Sequence, residues 1–153
     1  MRKTVVAVFM LAAAASFFTA SCSKTKSDAE LADTVEIKEK MFISQINDIY
    51  LNTEDYLGKT IRLEGLFKEE EGYDKTYCFV IRYGPGCCGF DGNAGFEVAW
   101  ADGKAKPYPA VDSWVEATGV LKAYEEDGFM QYLYLDLASL HVLNKRGAEF
   151  VLQ

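Results

Sequence analysis

Apolar and polar residues alternate with a period of two in five separate segments, and this pattern constrains the fold more than any other feature. Ile61, Leu63, Gly65 and Phe67 alternate with Arg62, Glu64 and Leu66, and Tyr77, Phe79, Ile81 and Tyr83 alternate with Cys78, Val80 and Arg82. Phe96, Val98 and Trp100 form a third segment, and Val115, Ala117, Gly119 and Leu121 a fourth. In the fifth, Leu133, Leu135 and Leu137 alternate with Tyr132, Tyr134 and Asp136. Successive side chains of a strand point to opposite faces, so each segment reads as a strand with one face on a core. The breaks between them carry turn chemistry: the charged run Lys68–Asp74, a glycine-rich loop Gly84–Gly95, a loop holding Gly103, Pro107 and Pro109, and the turn Glu125–Gly128. The expected fold is mainly β, a small five-stranded OB-like antiparallel barrel, with a two-sheet β-sandwich as the alternative. Gly65 and Gly119 inside strands suit sharp bends. Phe42, Ile46, Ile49 and Tyr50 are spaced as one face of an N-terminal helix ending near Leu51, and Val35 and Ile37 ahead of it fit a short strand.

The first 21 residues read as an export signal. Arg2 and Lys3 precede a fourteen-residue apolar run from Val5 to Phe18, and Thr19, Ala20 and Ser21 lead to Cys22. Crossing a bilayer takes roughly 20 apolar residues, so the run fits a cleaved signal better than a membrane span. Small residues directly before a cysteine resemble a bacterial lipobox, which implies a lipidated Cys22 and a membrane-anchored, extracytoplasmic protein of the bacterial envelope. Residues 22–33, polar and small, read as a flexible tether, and 34–153 as one domain of ordinary globular composition.

The formal charge is −7, with 16 basic and 23 acidic residues, and removing Arg2 and Lys3 with the leader leaves 14 basic residues and a charge of −9. Such a balance excludes nucleic acid as a partner. No G-x-S-x-G or other nucleophile motif occurs, and His141 is the single histidine, read as an ordinary surface or core residue. The chain does not read as an enzyme.

From about Val35 to Val151 the chain resembles the soluble C-terminal domain of YcgQ-type bacterial membrane proteins, a family with no established activity. The residues that carry the resemblance are IKEKMFISQINDIYLNTEDYLGKTIRLEG, the motif FVIRYGPGCCGFDG, and Asp112-Ser113-Trp114-Val115-Glu116 running into Thr118-Gly119. The vicinal pair Cys87-Cys88, with Asp91 three residues on, is its most specific part. In that family the domain follows transmembrane helices and is associated with predicted permeases. The resemblance therefore implies a membrane partner, a permease or another envelope protein, with a lipid anchor here in place of the helices.

Three cysteines remain beyond Cys22, and three is an odd number. A disulfide from Cys78 to Cys87 or Cys88 would close a loop of about ten residues, worth ~2.7 kcal/mol of chain entropy. Alternatively Cys78, Cys87 and Cys88, with Asp91 as a harder fourth ligand, would hold a soft metal ion, zinc first. A vicinal disulfide or reactive thiol is the third reading, with Arg82 as the nearby cation. Acidic runs at Glu69–Glu71 and Glu125–Asp127 read as solvated turns. Tyr132, Tyr134 and Trp114 fall opposite the aliphatic rows of their strands, where they would either pack under the N-terminal helix or, as outward aromatics, meet a carbohydrate or protein partner. The sequence thus points to a binding module, either capturing metal through its cysteine loop or acting as a disulfide-stabilised interaction module without metal.

Overall fold

In the computed structural model the described residues are 34–73, 75–87, 89–101, 106–126, 128 and 130–152. Strand β1 (Thr34–Glu36) leads into a single 3-10 turn (Glu39–Met41), helix α1 (Phe42–Leu51) and the one-turn α2 (Thr53–Tyr56). Five long strands follow: β2 (Thr60–Glu71), β3 (Thr76–Gly86), β4 (Gly89–Trp100), β5 (Trp114–Glu126) and β6 (Met130–Val142).

Helix α1 buries Phe42, Ile46 and Ile49, a spacing of four and three that keeps all three on one face. Its entry is fixed by Gln45, whose carbonyl accepts from the Lys38 amide at 2.8 Å and whose NH₂ donates to the Glu36 carbonyl at 3.1 Å. At its exit the Thr53 hydroxyl donates to the carbonyls of Ile49 and Tyr50, both at 3.1 Å, and so occupies acceptors that the helix end leaves over.

The strands form one six-stranded mixed sheet in which β2 pairs with β3, β3 with β4, β4 with β6, β6 with β5, and β5 again with β2. The five long strands therefore make a ring of hydrogen bonds. Four of its pairings are antiparallel, while β4–β6 is parallel, and β1 lies parallel to the start of β2. Ring closure depends on the length of β2: Thr60–Leu66 pairs with β5 and Leu66–Glu71 with β3. At Gly65 a Cβ would sit 2.5 Å from the Ile81 carbonyl oxygen, so only glycine allows β2 to approach β3 at the change of partner. On β5 the register shifts between Thr118 and Gly119, a second irregularity at a strand glycine. The inner row includes Ile61, Leu63, Phe67, Val80, Phe96, Val98, Val115, Ala117, Leu121, Leu133 and Leu135, with the buried face of α1 packed against it.

Several expectations need correction. The short strand expected at Val35 is present and pairs with Thr60–Arg62, bringing the sheet to six strands, but the five long strands are not all antiparallel as expected, since β4 and β6 run parallel. The glycine-rich stretch 84–95 is not a loop: β3 and β4 run through it as a hairpin, since Gly84 faces Gly92 and Gly86 faces Gly89. The β3 faces are exchanged. Cys78, Val80 and Arg82 are buried, and of the expected inner row Tyr77, Phe79 and Tyr83 are only half-buried while Ile81 alone is buried. Both rows of that strand are rich in apolar groups, and the one charge that labelled a row as outward, Arg82, is buried with partners. Trp114 is 2% exposed rather than outward, because it stacks on that same arginine.

Candidate ligand-binding surfaces

Cys87 follows the last residue of β3 and is exposed at the hairpin turn, where flanking Gly86 and Gly89 pair with each other. Asp91 lies on β4 two residues beyond Gly89. Cys88 and Cys22 lie outside the described residues. Cys78 belongs to the opposite end of β3. Nine residues of strand span about 30 Å when straight, whereas a disulfide needs Cα atoms within about 7 Å and a shared zinc needs sulfurs at about 2.3 Å. The structure therefore does not bring Cys78 to the tip, and the expected Cys78–Cys87 bridge is not formed. Cys78 is an unbridged thiol, 7% exposed. Burial raises its pKa, the Glu69 carboxylate adds to the rise, and a hydrogen bond with Tyr108 opposes it. This is an inert core thiol. Among the described residues no three His, Cys, Asp or Glu side chains cluster closely enough to hold a metal ion. His141 is exposed on β6, opposite Glu116.

Arg82, 2% exposed, holds the two ends of the fold together. Its guanidinium lies 4.8 Å from the ring centroids of both Phe42 and Trp114. Nε donates to the Glu64 carbonyl at 2.8 Å, and Nη1 donates to Glu39 Oε2 at 2.9 Å and to the Ala148 carbonyl at 3.2 Å. Glu39 Oε2 also accepts the Ala148 amide at 3.0 Å. These contacts hold the Glu39 carboxyl below the usual range, first through the Ala148 amide and then through Arg82. The site is saturated by the protein itself and reads as a structural clasp.

A broad concavity lies where the β4–β6 ladder stops. That ladder joins Glu97–Trp100 to Tyr134–Leu137. Ahead of it the strands separate, and an open groove of about 640 Å³ runs between Asn93–Gly95 and Gln131–Leu133. Ile46, Asn47 and Tyr50 of α1 form one wall, Tyr77, Phe79 and Tyr124 line another part, and Glu70, Glu71 and Glu97 supply carboxylates. Tyr50 stacks on Phe96 at 5.5 Å and donates its hydroxyl to the Gly95 carbonyl at 3.3 Å, closing one flank. Burial, with the Glu97 charge second, raises its pKa. Tyr124 stacks on Tyr132 at 5.4 Å and donates to Glu97 Oε2 at 2.6 Å. Lys75 Nζ lies 4.3 Å from the Tyr77 ring centroid and 5.1 Å from that of Tyr124. A second groove of about 330 Å³ beyond Tyr124 is lined by Lys75, Trp100, Lys122, Tyr134 and Asp136. The sequence marked Tyr132 and Tyr134 as outward aromatics but missed Tyr50, Tyr77 and Tyr124. For Tyr124 the signal was present, since it shares strand parity with Lys122 and opposes Leu121 and Ala123.

A closed ring of strands with a helix packed on it and two adjoining surface grooves is a small, mainly β domain. Residues 13–151 match the family described as the DUF1980 C-terminal domain, and the chain belongs to that family. A search of curated proteins finds no match. Among the described residues no helix is long and apolar enough to cross a membrane.

Proposed function

We propose that the chain is an extracytoplasmic binding module, held at the membrane by lipid on Cys22 and built on an OB-like barrel, whose β3–β4 hairpin tip captures a soft metal ion. The ring order β2-β3-β4-β6-β5, with β5 pairing back to β2, supports the barrel reading. The single observation that carries the metal reading is the exposure of Cys87 at a turn between paired glycines. In an extended strand adjacent side chains point apart, whereas a tight turn allows neighbouring thiolates to face one centre. Cys87 and Cys88 are then the soft ligands and Asp91 the harder one, with an open position for transfer to a permease or other envelope partner. Cys78 has no part in the site.

Native mass spectrometry of protein purified without chelator or reductant tests this reading. Stoichiometric zinc is expected, lost in Cys87→Ser and in Cys88→Ser and kept in Cys78→Ser. Zinc binding unchanged by both tip substitutions overturns it. A mass two hydrogens lighter with no metal also overturns it, and favours an interaction module without metal. The anchor is tested separately: Cys22→Ala should move the protein from the membrane to the soluble fraction.

A further inference from the structure

The last residues of the chain return to β3 where its ring partner has left it. Strand β2 pairs with β3 only as far as Ile81, and β4 meets β6 only from Glu97 onward. Between those points β3 and β4 run on as a two-stranded arm, Arg82–Gly86 against Gly89–Ala94, with Cys87 exposed at its turn. An isolated pair of strands is marginal in water. Among the described residues one further stretch of backbone pairs with this arm. The Tyr83 amide donates to the Glu149 carbonyl at 2.8 Å, and the Val151 amide donates to the Tyr83 carbonyl at 2.9 Å, which sets Phe150 beside Tyr83 in a parallel bridge. From this geometry we propose that residues 147–152 are a strap that holds the arm in place, so that the carboxyl end of the chain sets the position and order of the cysteine tip.

The strap is anchored on both sides of that bridge. Val151 is buried in the core, and Phe150 stacks on Tyr83 at 5.4 Å. Upstream, Ala148 is gripped at its amide by Glu39 and at its carbonyl by Arg82, the residue before Tyr83. Helix α1 supports the arm through a side chain: a Cβ on Gly84 would lie 2.5 Å from Ile43 Cδ1 and 3.5 Å from the Val151 carbonyl oxygen, so helix, arm and strap meet at Gly84. Only the strap adds main-chain hydrogen bonds, and they fall four residues before Cys87. Phe150 and Leu152 are exposed, so the strap is reachable from solvent while the ring stays closed. Ordering of the arm holds whatever the tip binds. Its effect on a bound metal rests on the zinc site proposed for that tip.

Hydrogen exchange of the metal-free protein, read by mass spectrometry, tests the strap. Ending the chain after Gly147 removes both bonds to Tyr83, and the amides of residues 83–87 and 89–94 should then exchange about tenfold faster or more. Phe150→Ala loosens the strap through an exposed ring and leaves Val151 in the core. In that variant the same amides should exchange about two- to fivefold faster, while those of β5 and β6 keep the wild-type rate. Arm exchange unchanged in Phe150→Ala overturns the proposal. Equal quickening of the arm and of β5 and β6 also overturns it, in favour of a segment that merely stabilises the whole fold. The Phe150→Ala result decides even where the shortened chain does not fold. Zinc release from the same variants keeps the two claims apart: faster release alongside faster arm exchange supports the strap and its hold on a metal tip, whereas faster arm exchange in a protein that binds no zinc supports the strap and overturns only the zinc site.

Discussion

Replacing Arg82 should reveal how a charged side chain can belong to a β core. The buried guanidinium contributes through two ring faces at 4.8 Å and three acceptors, the carbonyls of Glu64 and Ala148 and the carboxylate of Glu39. Two partly desolvated cation–ring contacts are worth about 1 kcal/mol each. Two carbonyls stripped of their donor cost about 1 kcal/mol each. The Glu39 pair adds little, because its carboxylate is 51% exposed and rehydrates when the arginine is gone. Against these stands the recovered cost of desolvating a cation. The balance predicts a loss of about 3 kcal/mol for Arg82→Ala and about 2 kcal/mol for Arg82→Lys, whose compact ammonium lacks the planar fork that reaches separate acceptors while stacking between two rings. Arg82→Met keeps the filler between the two rings but not the donors, and should lose about 1–2 kcal/mol. Urea unfolding followed by tryptophan fluorescence measures all three, since Trp114 stacks directly on the guanidinium. An Arg82→Met protein at least as stable as wild type would refute the reasoning, because the polar contacts would then contribute nothing net.

Glu39→Gln should flatten the acid limb of the stability curve. The Glu39 carboxyl is held below its ordinary value of 4.5, so its contribution is complete above that pH and is lost as pH falls through the lowered folded value. The difference between the two proteins, about 1 kcal/mol or less for so exposed a group, should therefore shrink below pH 4.5 in urea titrations at several pH values. Gly95→Ala places a Cβ 2.0 Å from the Val80 carbonyl oxygen, inside the β3–β4 ladder. It should cost about 2–3 kcal/mol, and a smaller loss in urea unfolding would show that the hairpin gives way easily. In metal-free protein Cys78, buried and with a raised pKa, should react with a thiol reagent only as fast as the protein unfolds, while exposed Cys87 should label at once. Rapid labelling of Cys78 in the native state would contradict its placement.

Much of the framework was legible because burial on one face of a strand leaves a period of two. The inner rows of β2, β5 and β6 follow the alternation of Ile61 to Phe67, Val115 to Leu121 and Leu133 to Leu137. The α1 face was legible through the spacing of Phe42, Ile46 and Ile49. On β3 the same rule chose the wrong face. Alternation records only that two rows differ, and here both were apolar enough to be core. What decided was Arg82, whose acceptors come from residues 18, 43 and 66 positions away in the chain. No local pattern contains that information. The glycine-rich stretch misled for a related reason: Gly84 and Gly92 are strand residues kept small by what approaches them, the Ile43 side chain and the Pro85 carbonyl respectively. Cys78 was drawn toward the hairpin tip only by its proximity in sequence, since the strand carries it to the other end of β3. The groove was out of reach, since it arises where the parallel pairing of β4 with β6 ends, a boundary set by register rather than by composition.

The ring also dictates an order of assembly. It divides into a meander, β2-β3-β4, and a hairpin, β5-β6, each held by neighbours in sequence. Only two seams join them, β2 with β5 and β4 with β6, and both span long stretches of chain. Neither piece can bury Phe67, Val80, Phe96 or Leu135 until the seams close. Docking of two partly formed pieces across distant contacts is the slow step, which places this domain among folders on the millisecond-to-second scale rather than the microsecond one. A chain delivered amino end first holds its meander open, apolar side outward, until residues 114–142 arrive. During that interval, and not in the finished ring, this sequence most needs a chaperone.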